Sequence, residues 1–184
     1  MLKLSAQLPR RFGKLFCLLL ALGLFASSAF ADSEQERRVR TGARLFRSLL
    51  AADIGIEKRA AADGSLLVII LGSELRLSRQ MGELIAPNGQ ALIRTRPLRV
   101  KLLSKFPELT GAPPVAVFLS SLPPDAEFDA LVRWAIARKV IVYSPFEGHV
   151  ERGALAGISI EAKVLPFVNV QTLQASGIEL KLFS

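Results

Sequence analysis

The run SLLVIILG, Ser65 to Gly72, places the tightest limit on how this chain can fold. Its six consecutive apolar residues, Leu66 to Leu71, offer no polar face to water. A helix of that length would be short, whereas a strand of that length is ordinary, and Val68, Ile69 and Ile70 are branched at Cβ. A strand apolar on both sides has to be covered on both sides, as strands of a parallel sheet are. The turn ADG, residues 62–64, and Gly72 punctuate its two ends.

The neighbouring segments supply the covering layers. Residues 33–52 have helical periodicity, with Val39, Ala43, Phe46 and Leu50 on one stripe and arginines around it. After Gly72, Ser73 is a candidate cap for a helix that turns Leu77, Met81, Leu84 and Ile85 inward and stops before APNG, Ala86 to Gly89. QALIRTRPLRV follows as a more exposed basic strand broken at Pro97, and KLLSKFPELTGAPP as a short helix or irregular crossover. VAVFLSS, Val115 to Ser121, gives a third strand. PPDAEFDALVRWAIAR gives a helix burying Phe128, Leu131, Val132 and Ala135, and Lys139 to Tyr143 a fourth strand. AGISIEAKVLPFVN, Ala156 to Asn169, carries one or two further short strands, VQTLQASG a short helix, and IELKLF a final extended or helical piece. Strand and helix therefore alternate from Ser65 to Tyr143, the order of right-handed βαβ units. The expectation is a three-layer, Rossmann-like α/β domain with a mostly parallel sheet of about five strands and helices on both faces.

The first 31 residues predict the compartment. Arg10, Arg11 and Lys14 precede the apolar stretch Leu15 to Phe25, and Ala29-Phe30-Ala31 is a small-x-small cleavage pattern, together the signature of a secretory signal peptide. The apolar stretch is shorter than the roughly 20 residues a membrane span needs. Cleavage would leave residues 32–184 as a single domain and lower the net charge from +8 to +4, because four Lys and Arg and no acids lie in the signal. Such a modest charge argues for no nucleic-acid partner. Cys17 leaves with the signal, and the remaining chain then has no disulfide, no thiol nucleophile and no cysteine zinc site.

In an open α/β sheet, ligands meet the loops at the carboxyl ends of the strands. Gly72, Ser73, Ser120 and Ser144 fall there and make a candidate small-molecule or anion pocket, although serine is also an ordinary cap and turn residue. No Gly-rich phosphate cradle follows a strand. The loop SPFEGHVERG holds the only histidine, His149, between Glu147 and Glu151, with Arg152 next. On an extended segment, that spacing of two would turn all three to one side, as a metal site or a catalytic His would need. The plainer reading, a polar connection that docks a partner, assigns Glu147, His149, Glu151 and Arg152 to the docking surface, with no metal, cofactor or catalytic residue. Trp134, on the flank of its helix's apolar stripe, is a docking candidate or packs on a neighbouring element. Arg94, Arg96 and Arg99 could meet acidic lipid or phosphate, or form the solvated face of an edge strand.

The order of these pieces resembles the YfiR-like family of periplasmic proteins. The similarity runs through RTGARLFRSLL, LLVIILGSELRLSRQMGEL, VAVFLSSLP and ERGALAGISIEAKVLPFVNVQTLQASGIELK, with Asn169 in the place of a family asparagine. The resemblance implies a periplasmic, non-enzymatic regulator that docks onto and represses the periplasmic part of a membrane-bound signalling protein, such as a diguanylate cyclase or sensor kinase. The ending is also similar to one lobe of the periplasmic solute-binding components of ABC transporters, which implies a small-ligand binder instead. A homodimer and a small ligand both remain open on this reading.

Overall fold

The computed structural model describes residues 34–106, 111–160 and 164–181. The expected signal peptide and the turn at Glu161-Ala162 lie outside them. The chain divides into two units, Met1–Arg37 and Arg38–Ser184, and the second holds the fold described below.

The fold is mixed α/β around one mostly parallel sheet. Helix α1 covers residues 34–52. After a 3-10 turn at Ile56–Arg59 come β1 (Leu66–Leu71), α2 (Leu75–Ile85), β2 (Ala91–Ile93), β3 (Arg96–Leu103), β4 (Ala116–Leu119), α3 (Asp125–Arg138), β5 (Ile141–Ser144), β6 (Ala156–Ile160), β7 (Val164–Val168) and α4 (Val170–Ser176). The strands lie in the order β2-β3-β1-β4-β5-β6-β7. The five inner strands β3, β1, β4, β5 and β6 are parallel to their neighbours, while β2 and β7 add antiparallel edges. The sheet therefore has seven strands rather than about five, because the basic segment and the segment after the His149 loop each fold into a hairpin.

Burial explains the order. β1 is third in the sheet, flanked by β3 and β4, and Leu66, Val68 and Ile70 on one face and Ile69 and Leu71 on the other are all buried. In-register partners share a face, so Ile70, Phe118 and Tyr143 line up on one side. There the α1 stripe Val39, Ala43, Phe46 and Leu50 is fully buried, and the Phe46 ring packs tilted on Phe118 and Tyr143, each at 5.4 Å. α2 lies on the same side, with Gly82 against Ile70, Val100 and Leu102. The β4–α3–β5 crossover steps along the sheet in the opposite direction from β1–α2–β3, so right-handedness puts α3 on the other face. Its buried residues are Phe128, Leu131, Val132 and Ala135.

Two local expectations are corrected. Pro97 does not break a strand. It sits inside β3 opposite Leu92, and the reversal falls at Arg94, which takes a left-handed φ of 55°. Arg96 and Arg99 thus lie on an internal strand: Arg94 bonds to the Ala51 and Ile54 carbonyls at 3.2 and 3.4 Å, and Arg99 pairs with Asp63 at 2.7 Å. Nor does Ser73 cap α2. The N-cap is Glu74, with no side-chain cap bond.

Candidate functional site

Taken in chain order, the parallel strands are arranged 2-1-3-4-5, so the chain's direction of travel across the sheet reverses between β1 and β4. Their carboxyl ends are where doubly wound sheets open a crevice. A cleft of about 390 Å³ lies there, lined by Gly72, Ser73, Lys105, Ser121, Pro124 and Glu127 among others. Gly72 is required by close approach: a Cβ on it would run into Ser120 Oγ. The Ser73 amide donates to Ser121 Oγ at 2.9 Å, and Ser120 Oγ meets Ser78 Oγ at 2.8 Å and donates to the Leu71 carbonyl at 3.3 Å. Of the expected pocket residues, Gly72 and Ser73 line the cleft. Ser120 is turned into the core beneath α2, and Ser144 lies elsewhere under the His149 loop. Glu127 at the start of α3, which accepts from the Phe106 amide at 2.5 Å, and Lys105 put one charge of each sign beside the cleft.

The His149 loop is a packed cap and not an extended segment. Gly148 takes φ 75° and Gly153 φ 112°, and the amides of His149, Arg152 and Gly153 donate to Phe146, Gly148 and Val150. These turns send the three spaced residues in different directions. Glu147 stands in solvent, 3.6 Å from Arg38, Glu151 is exposed, and His149 points inward and is 4% exposed. The imidazole stacks on Phe128 at 3.9 Å, and its Nδ1 lies 2.7 Å from Ser144 Oγ. Ser144 Oγ also accepts from the Phe146 amide at 3.3 Å. This Ser–His pair has the spacing of a nucleophile and its base, but Ser144 is fully buried and out of a substrate's reach. Among the described residues, no group of three His, Cys, Asp or Glu side chains is placed to hold a metal ion.

Arg152 belongs to this cap too. Its guanidinium bridges Asp125 at 2.5 Å and Asp129 at 2.7 Å on α3 and lies over the Phe128 ring, 5.0 Å from its centroid. Asn169 closes the cap from the other side. It caps α4 by accepting from the Thr172 amide at 2.9 Å and donates from Nδ2 to the Val150 carbonyl at 2.6 Å. The expectation that His149 lies on an exposed loop is therefore corrected: it is a core residue joining β5 to α3. Trp134 packs edge-on against Phe106 at 5.8 Å, with Arg138 over its ring at 5.2 Å.

Burial and the Arg152 charge lower the His149 pKa, against the pull of Asp125 and Asp129. The native state then holds fewer protons than the unfolded chain below the ordinary value of 6.5. Stability should fall as pH drops through about 6.5 and level off once the native imidazole itself titrates. Because the chain has one histidine, His149→Gln should flatten urea-unfolding free energies across that interval. An unchanged pH slope in the variant would show that the buried imidazole does not carry it.

Two features were missed from sequence. One is the buried pair of Asp53 and Arg59: the Arg59 guanidinium donates to the Asp53 carboxylate, to the Val115 carbonyl at 3.2 Å and to the Lys139 carbonyl, tying the turn after α1 to the starts of β4 and β5. Asp53 also takes the Gly55 amide at 3.0 Å, and the backbone around it pairs with Glu179 to Lys181. The signal was a single acid between apolar neighbours, Ala52 and Ile54.

The other is an apolar patch on the β7 edge. Leu165 is 55% exposed, Phe167 39% and, at the start of α4, Val170 61%. Its signal was VLPFV itself, five consecutive apolar residues that leave neither face of the strand polar. The Asn169 amide bonds to the Leu155 carbonyl, so in the alternating antiparallel ladder Gly157–Phe167 and Ser159–Leu165 are the bonded pairs and Pro166 turns its missing N–H outward. That removes a donor from the free edge and blunts addition of another strand. The side chains beside it remain exposed.

In comparisons with known proteins, no family model and no characterised relative matches the chain. No helix among the described residues is long and apolar enough to cross a membrane.

Proposed function

We propose that this chain is a periplasmic, non-enzymatic regulator on a three-layer Rossmann-like frame, which docks onto and represses the periplasmic part of a membrane-bound signalling protein such as a diguanylate cyclase or sensor kinase. The observation that carries this reading is the patch of Leu165, Phe167 and Val170. A cluster of exposed large apolar side chains marks an interaction surface more often than it is tolerated idly, and Pro166 steers contact to the side chains instead of the strand backbone. The signal-peptide pattern of the first 31 residues supports the compartment. On this reading the docking surface is the β7 edge and not the His149 loop, whose histidine is buried and whose Arg152, though exposed, pairs with Asp125 and Asp129.

The experiment is direct. The periplasmic fragment of a candidate membrane-bound diguanylate cyclase or sensor kinase is titrated with wild type and with the Leu165→Glu, Phe167→Glu double variant. Both residues face solvent, so the fold should persist. Two interface anchors at roughly 1–2 kcal/mol each predict a loss of affinity of about 30-fold or more. Equal affinity for both proteins would remove the patch from the interface. A wild-type dimer that the double variant dissolves would assign the patch to a second copy of the chain. The alternative, a single-lobe solute-binding protein, is supported by the cleft between β1 and β4. It predicts saturable ligand binding that a bulky residue at Ser121 abolishes.

A further inference from the structure

Behind the β6–β7 hairpin, on the α1 side of the sheet, lies a separate cavity of about 300 Å³. Its walls follow from strand register and helical spacing. Tyr143 pairs with Ala156 and Ala156 with Val168, so the three share the face on which Tyr143 packs against Phe46 of α1. Pro166, two residues before Val168, lies on that face as well, while Leu165 and Phe167 point away from it. On α1, Leu45, Ser48, Leu49 and Ala52 follow the i, i+3, i+4, i+7 spacing of one helical stripe, and all four line the cavity. Leu180 and Lys181 complete the lining, held there by the Lys181 amide, which donates to the Ala52 carbonyl at 2.8 Å.

The lining has two characters. Leu45, Leu49, Val168 and Leu180 are only half-buried, so each keeps apolar surface that a ligand could cover. The exposed polar groups beside them are the Lys181 ammonium and the Ser48 hydroxyl, and among the described residues no acid lines the cavity. Nor does Lys181 have an acid within ion-pair reach among them. Asp53, whose backbone bridges to Leu180, holds Arg59 with its carboxylate. A ligand that suits both characters is apolar over most of its length and negative at one end. Its body covers the leucines while its head stays hydrated beside Lys181, which avoids the cost of burying a charge. Volume sets the size. An apolar cavity of about 150 Å³ holds benzene, and one of twice that volume has room for roughly ten to twelve non-hydrogen atoms, the size of octanoate.

We propose that this cavity is a binding site for an amphiphilic carboxylate of medium-chain fatty-acid size, whose apolar body lies between α1 and the inner face of β7 and whose carboxylate accepts from Lys181 Nζ and Ser48 Oγ. The site lies on the opposite face of β7 from Leu165 and Phe167 and needs no partner protein, so it can fail or stand independently of the docking surface.

The test uses two probes of nearly equal length, octanoate and octylammonium, which differ in the sign of the head group. Each is titrated into the full chain and followed by NMR shifts of the Leu45, Leu49 and Val168 methyl groups. Saturable binding of octanoate is expected, about 3- to 10-fold tighter than octylammonium, from an attraction and a repulsion each of the size of an exposed ion pair. Lys181 is exposed, so its replacement should leave the fold intact. Lys181→Gln should bring the two affinities together, and Lys181→Glu should reverse their order. Val168→Phe, which fills the cavity, should weaken both probes. Absence of saturable octanoate binding overturns the proposal, as does an octanoate preference that survives Lys181→Glu. Octanoate affinity unchanged in Val168→Phe overturns it too, because the ligand would then lie outside the cavity.

Discussion

Arg59→Ala should cost about 3–5 kcal/mol of stability, the usual penalty for stranding one member of a buried ion pair. Asp53 is 1% exposed, and with Arg59 gone its carboxylate keeps, among the described residues, only the Gly55 amide. Burial lowers the Arg59 pKa to about 10, still far enough above neutral pH for the guanidinium to be charged opposite Asp53. The loss extends beyond charge. The same guanidinium holds the Val115 and Lys139 carbonyls at the starts of two central strands. Against a typical total of about 5–15 kcal/mol, the effect is a large fraction. It corresponds to a fall of roughly 6–20 °C in melting temperature for a domain of this size. Arg59→Lys should fall between wild type and alanine, because an ammonium restores the charge but cannot present the planar fork that reaches three acceptors. A thermal melt of Arg59→Ala within about 2 °C of wild type would show that the pair does not hold these elements together.

The sequence was most legible where one element's own periodicity decided burial. The α1 stripe of Val39, Ala43, Phe46 and Leu50 and the α3 set of Phe128, Leu131, Val132 and Ala135 are buried as their spacing predicts. The apolar run of β1 occupies an inner, parallel position for the reason its composition gives. The misreadings share a different cause. The reversal at Arg94 uses a left-handed arginine where a turn is usually announced by glycine or asparagine, so a hairpin looked like one interrupted strand. His149 looked exposed because its flanking acids are. What buries it is the Phe128 ring on α3 and the hydroxyl of Ser144, and no local pattern encodes the first of these. Asp53 and Arg59 are six residues apart, and their pairing depends on the C-terminal tail folding back beside them. The candidate cleft was half legible: the strand-end rule located Gly72 and Ser73, but it could not tell that Ser120 faces α2 or that Ser144 is sealed under a cap.

The largest effect of all is expected from Val68→Asp. Val68 is fully buried in β1, paired with Val100 of β3 on one side and Ala116 of β4 on the other. It shares its face with Ile70, the residue against which Gly82 of α2 packs. A carboxylate there would have no cation and no donor supplied for it, and burying such a group costs several kcal/mol or forces its protonation at a similar cost. The strand cannot escape by sliding, since a shift of one residue would turn every β1 side chain to the opposite face and break pairing on both edges. With about 5–15 kcal/mol in total to lose, the variant should show no cooperative thermal transition and should collect in the insoluble fraction. Leu92→Asp is the matched control: the same carboxylate on the edge strand β2, at a largely exposed position, should change stability by no more than about 0.5 kcal/mol. The contrast isolates position from chemistry. A soluble Val68→Asp protein melting cooperatively near the wild-type temperature would mean that β1 is not covered on both faces, and the parallel sheet built around it would have to be redrawn.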